Sequence, residues 1–108
     1  SNMLTETERH IVEEIKKEIE EVATGEIVKV ILYGSRATGT ATKDSDFDIL
    51  VVERRVKSKR DEMHRLSEAL MDFPYSVDVW VMGEEEFEET KSVIGGLAYP
   101  ANKYGVMV

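Results

Sequence analysis

At 108 residues, 42% of them apolar, the chain has the size of one small core, and no apolar run is long enough to span a membrane. Its 22 acidic against 14 basic residues leave a formal charge of −8, which argues against a surface that tracks a nucleic-acid backbone. With no cysteine there is neither a disulfide framework nor a thiolate metal site, and with no recognisable signal peptide a cytoplasmic location is expected.

Ser1-Asn2 ahead of Met3 reads as the remnant of an expression tag, which leaves a single domain over residues 3–108. Thr5 with Glu8 three residues on forms a capping box, and Ile11, Val12, Ile15, Ile19 and Val22 recur at helical spacing, so a helix over 5–23 is predicted, closed near Thr24-Gly25. A strand follows at about 27–33. A second runs near 46–53, after which Ser58 caps a helix whose apolar face is Met63, Leu66, Leu70 and Phe73, ended by Pro74. The third strand covers about 76–82. Beyond Gly83 the acidic run Glu84–Glu89 begins a further helix to about 93, either favoured by the helix dipole or presented to a basic partner; Gly95-Gly96 breaks it, and Val106-Met107-Val108 ends the chain as a short strand or tail. The elements add up to a small α/β (α+β) domain, a mixed sheet with helices packed on one face.

The chemistry concentrates in Tyr33-Gly34-Ser35 and, ten residues later, Asp46-Phe47-Asp48-Ile49-Leu50-Val51-Val52. Alternate side chains of a strand share a face, so Asp46 and Asp48 point the same way at the mouth of a buried strand. Two carboxylates that close repel each other and call for a cation, and magnesium binds through one or two carboxylates together with substrate phosphates. A calcium loop opening at Asp44 is disfavoured, because its sixth position would be Ile49 in place of glycine and its twelfth Arg55 in place of a bidentate glutamate. The plainer alternative makes Asp44, Ser45 and Asp46 turn residues, with Asp48 paired to a nearby base. In Val77-Asp78-Val79-Trp80-Val81-Met82 a third carboxylate, Asp78, interrupts an apolar strand; beside Asp46 and Asp48 it would complete a site for two metal ions roughly 3.5–4 Å apart. Its structural alternative is a salt bridge or a cap on a neighbouring turn.

Gly34 lets a phosphate approach the backbone, Ser35 offers a hydroxyl and an N–H as the chain turns into a short helix, and Arg36 then falls near the phosphates or in a surface salt bridge. Trp80 shares the face of Asp78, with packing beneath the site as its expected role and stacking on a nucleobase as the alternative. His64 is expected at the surface of its helix, and the bases between Arg54 and Arg65 on a solvated face.

Gly34-Ser35, ten residues, Asp46-x-Asp48 and the later strand residue Asp78 resemble the nucleotidyltransferase superfamily that includes DNA polymerase beta, most closely its minimal branch. That resemblance implies the polymerase beta-type nucleotidyltransferase fold, Asp46 and Asp48 as magnesium ligands, Gly34 and Ser35 as binders of the nucleotide phosphates, and Asp78 as the third acid, which helps a metal activate the attacking hydroxyl. The expected reaction moves a nucleoside monophosphate from a triphosphate, with ATP as the expected substrate, to a hydroxyl acceptor. Relatives that modify antibiotics or polynucleotides carry a further domain for the acceptor, so a partner protein or a second copy of the chain is expected to hold it here. Minimal members resemble the antitoxin of two-gene pairs whose partner is a helical HEPN toxin, and antitoxin action by AMP transfer, by binding, or both is the leading expectation. A non-catalytic nucleotide- or partner-binding module, and a small-molecule (antibiotic) nucleotidyltransferase, are the alternatives.

Overall fold

The computed structural model describes residues 4–108; the tag remnant expected at Ser1-Asn2 lies outside the described residues. In chain order the elements are α1 (Glu6–Val22), β1 (Ile27–Tyr33), α2 (Ser35–Thr38), β2 (Phe47–Glu53), α3 (Lys59–Ala69), β3 (Val77–Gly83), α4 (Glu84–Thr90), α5 (Ala98–Tyr104) and β4 (Val106–Met107). The strands form one mixed sheet in the order β3-β2-β1-β4. β1 runs antiparallel to β2 and β4, whereas β2 and β3 are parallel, with α3 as the crossover between them.

Local signals account for most of these boundaries. Thr5 and Glu8 close the capping box in both directions, with the Glu8 N–H donating to Thr5 Oγ1 (3.1 Å) and the Thr5 N–H to Glu8 Oε1 (3.0 Å). Ser58 Oγ accepts from the Asp61 N–H at the start of α3 (3.2 Å). The helix expected to reach residue 93 stops at Thr90, and α5 was not expected at all. α5 buries only Ala98 and Ala101, residues too small to write an apolar stripe, and Pro100 falls in its first turn, where a missing N–H costs nothing.

One face of the sheet carries Val30, Leu32, Phe47, Ile49, Val51, Val79 and Val81, packed with Val12, Ile15 and Ile19 of α1 and Leu66 of α3. The other face departs from the expectation that helices cover one side only. There Ile31, Leu50, Val52 and Met82 pack against Phe87 of α4 and Ala98 and Ala101 of α5. The unbroken run Ile49-Leu50-Val51-Val52 leaves apolar side chains on both sides of β2, and each side requires cover. The basic residues expected on a solvated face do lie there: Arg54 pairs with Glu26 and Glu84, Lys59 with Glu86, and His64 is exposed near Glu68.

A carboxyl pair ties β2 to α3. Glu53 is 1% exposed and Glu62 4%. Glu62 accepts from the Thr24 N–H (2.9 Å) and hydroxyl (2.6 Å). Burial, and the facing Glu62, push the Glu53 pKa up to about 8; a proton on Glu53 supplies the donor that two facing carboxylates lack. Burial works against ionisation of Glu62 too, but hydrogen bonds from Glu53 and Thr24 outweigh it and keep its pKa below the ordinary value. The folded chain therefore retains on Glu53 a proton that the unfolded chain releases above its ordinary pKa of 4.5. Stability contributed there is complete below pH 4.5 and falls as pH rises to about 8, by at most about 1.4 kcal/mol per pH unit. Glu62 acts in the opposite sense, at more acidic pH. Urea unfolding between pH 5 and 8 is expected to show a falling midpoint for the native chain and a flatter profile for Glu53→Gln; parallel profiles would mean that the pair shares no proton.

Candidate active site

Three strand ends meet on the face that α4 and α5 leave partly open. Tyr33, the last residue of β1, stands opposite Asp48 in the antiparallel ladder, and Asp48 stands beside Asp78 in the parallel one. The three side chains thus form a row across β1, β2 and β3, on the same face as Leu50, Trp80 and Met82. Asp46 lies one residue before β2 and is exposed at its entrance. Burial raises the pKa of Asp48, and the charges of Asp78 and Asp46 raise it further, so both other acids are felt at Asp48. Burial, then Asp48 and Asp78, likewise raise the pKa of Tyr33 and keep its phenol protonated.

Gly34 follows Tyr33 with φ 73° and ψ −160°, a conformation that side chains disfavour. A Cβ at this position would run into Asp48 Oδ2. The glycine therefore keeps open the space in front of the central carboxylate. α2 begins at Ser35, and its one turn closes on Gly34, whose carbonyl accepts from Ala37 (3.0 Å) and Thr38 (3.2 Å). Gly39, at φ 84°, ends it.

Arg36 makes its contacts within the chain. Its side chain is 11% exposed; Nε and Nη2 donate to the Ser45 carbonyl (3.2 and 2.8 Å), Nη2 also to the Lys43 carbonyl (3.3 Å), and Nη1 to Glu8 Oε2 (3.2 Å). The guanidinium lies over the Phe47 ring, 4.4 Å from its centre. This side chain pins the loop that leads to Asp46 and joins it to α1. An ion pair with Glu8 is one part of its contacts; its other acceptors, the loop's own carbonyls, leave no local pattern in the sequence.

Trp80 also departs from expectation. Rather than packing beneath the site it is 42% exposed, and its indole N–H donates to Asp78 Oδ2 (3.1 Å). Nothing local in the sequence marks Tyr33; only the register with β2 puts it beside Asp48.

Among the described residues no three acidic or histidine side chains close into a group that would hold a metal by protein ligands alone. The donor set still suits magnesium. It offers carboxylate oxygens at one open end of the sheet beside a cradle that a Cβ would fill, and magnesium completes its shell with water and substrate phosphate.

Fold and site define a small α/β domain with acidic strand ends beside a Gly-Ser turn. Residues 12–98 match the nucleotidyltransferase domain family, and the chain belongs to that family. It is 30% identical over 67 residues to a Methanocaldococcus jannaschii protein named "putative protein adenylyltransferase", a match covering 61% of this chain and 46% of that relative, so less than half of the relative's length is spanned. A crystal structure of a "putative nucleotidyltransferase" from Sulfolobus solfataricus superposes with a TM-score of 0.63 at 26% identity, over 91% of this chain and 76% of the other.

Two substitutions separate the roles of the cradle and the loop. Gly34→Ala is expected to destabilise the chain by about 1–3 kcal/mol through backbone strain and collision with Asp48, read by urea unfolding. Arg36→Lys keeps the charge but loses the planar stack and the forked donors, with an expected loss of about 1–2 kcal/mol. Unchanged unfolding of the lysine variant would mean that charge alone matters at position 36.

Proposed function

We propose that this chain is a magnesium-dependent nucleotidyltransferase that moves AMP from ATP to a hydroxyl on a partner protein, and that the partner is a helical HEPN-type toxin which the chain, as antitoxin, neutralises. Family membership supports nucleotidyl transfer, and the name of the Methanocaldococcus jannaschii relative supports a protein acceptor. The observation that carries the reading is the register of Asp48 with Asp78 in front of the space that Gly34 leaves open.

In this reading Asp46 and Asp48 hold magnesium, with Asp78 as the third carboxylate, and two ions fit the number of acids. Bound magnesium would supply positive charge to the phosphates and ease deprotonation of the acceptor hydroxyl. Gly34 admits the triphosphate to the backbone, and the Ser35 hydroxyl and N–H bind it. Arg36 keeps the loop before Asp46 in place rather than touching the nucleotide. Asp78 lies on the edge strand and is exposed, so it is the carboxylate that an incoming hydroxyl meets first; with Oδ2 engaged by Trp80, Oδ1 is left to accept the hydroxyl's hydrogen bond. The acceptor hydroxyl passes its proton to Asp78 Oδ1 as its oxygen attacks the α-phosphorus; the new bond forms as the bond to the bridging oxygen breaks, and pyrophosphate departs. Positioning and charge supply most of the rate, since this chemistry asks for little covalent participation by the protein.

Co-expression with a helical HEPN-type protein, followed by intact-mass measurement, tests the reading. The partner is expected to gain the mass of AMP with the native chain, and Asp48→Asn is expected to slow that transfer by about a thousandfold, the equivalent of several kcal/mol of charge stabilisation. An unmodified and still toxic partner beside the native chain would remove the proposal. Neutralisation that survives Asp48→Asn undiminished would leave binding alone as the function.

A further inference from the structure

Trp80 is the single tryptophan of the chain, and its surroundings do not explain it as a core residue. β3 is an edge strand, Trp80 is 42% exposed there, and its neighbour across the parallel ladder is Leu50. The ring therefore stands between the acidic row and the apolar half of the same face. It lies two residues after Asp78, so the two side chains point the same way. An indole has one donor and no acceptor, so the 3.1 Å contact with Asp78 Oδ2 has only one sense.

Asp78 has reason to need a tether. It is exposed, no strand flanks it on its outer side, and Asp48 and Asp46 carry like charge close by. Mutual repulsion drives a free carboxylate at this place out toward water and away from Asp48. A directed N–H on one oxygen opposes that swing and leaves the other oxygen available.

We propose that Trp80 is a positioning residue of the site: its indole N–H holds the Asp78 carboxylate in the acidic row. The inference deepens the functional reading above and rests on Asp78 being part of the metal and acceptor side of the site. It adds a residue that acts only through Asp78 and that the Gly-Ser and D-x-D spacing does not contain. Partners of this kind, which orient a ligating group from behind, typically change metal affinity by 10–100-fold when removed. For a partly exposed bond the lower end of that range, about tenfold, is expected.

The full chain labelled with ¹⁵N gives one indole N–H resonance, which needs no assignment because there is one tryptophan. Asp78→Ala is expected to move that resonance toward the position of a free indole, and added Mn²⁺ to broaden it in the native chain. Calorimetric titration with Mn²⁺ is expected to show about tenfold weaker binding for Trp80→Phe, which keeps a ring and loses the donor. In the Asp78→Ala background the same substitution is expected to add nothing, as two residues acting through one contact are not additive. An indole resonance indifferent to Asp78→Ala, Mn²⁺ binding by Trp80→Phe equal to native, or full additivity of the two changes would each overturn the inference and leave the functional reading standing. A native chain that binds neither Mn²⁺ nor magnesium-ATP would overturn both. The resonance measurement needs no folded Trp80→Phe protein, so it decides the hydrogen bond even where that variant unfolds.

Discussion

Two carboxylates side by side on adjacent strands, Asp48 on β2 and Asp78 on β3, divide one face of the sheet into halves that cannot be treated alike. Toward the far end of the same strands the positions facing that side are Leu50, Val52 and Met82, which must be removed from water and are covered by Phe87, Ala98 and Ala101. At the near end the like charges, already raising the proton affinity of Asp48, would become far less favourable under an apolar layer. The second helical layer therefore covers part of the face, and the acidic row is left accessible. Site and fold are in this sense one feature: the open end exists because the same strands change from charged to apolar within two residues on β2 and four on β3.

A second constraint holds that open end in shape. The Arg36 guanidinium gathers Glu8 of α1, the Ser45 and Lys43 carbonyls of the loop and the ring of Phe47 at the start of β2. Phe47 in turn meets Tyr75 edge-on, with ring centres 5.8 Å apart, and its N–H donates to the Ser76 carbonyl at the approach to β3. One partly buried cation thus links the segments that carry Gly34, Asp46, Asp48 and Asp78. Because its donors are satisfied by chain carbonyls and a carboxylate, it orders the loop without adding positive charge to the acidic row itself, which remains suited to a cation from outside.

Membership of the nucleotidyltransferase domain family and likeness to the Sulfolobus solfataricus structure bring the general chemistry within reach. The details particular to this chain lie in residues around the acids. Gly34 makes room in front of Asp48, Tyr33 flanks it as a protonated phenol, and Trp80 holds the outer carboxylate. None of these three does chemistry in the proposed reaction, yet each determines where an acid can point. The edge position of β3 leaves Asp78 and Trp80 exposed on the side of β2 away from the Gly34 turn at the end of β1.

The sequence by itself determined the helices that announce themselves by caps and stripes, the three long strands, and the Gly34-Ser35 and Asp46-x-Asp48 spacing, because each of these is written within a few adjacent residues. The apolar run after Asp48 marks β2 as a buried strand, but the layer that covers its second face was legible only in part: α5 packs through alanines, which leave no period to read. What tertiary structure alone decided was register and direction. Which residue of β1 lies opposite Asp48, whether Asp78 arrives beside it or on the reverse face, where the guanidinium of Arg36 finds its acceptors and whether Trp80 faces water all depend on how separate segments are brought together. A one-residue slip between strands would send every side chain to the other face, and no local pattern encodes that choice.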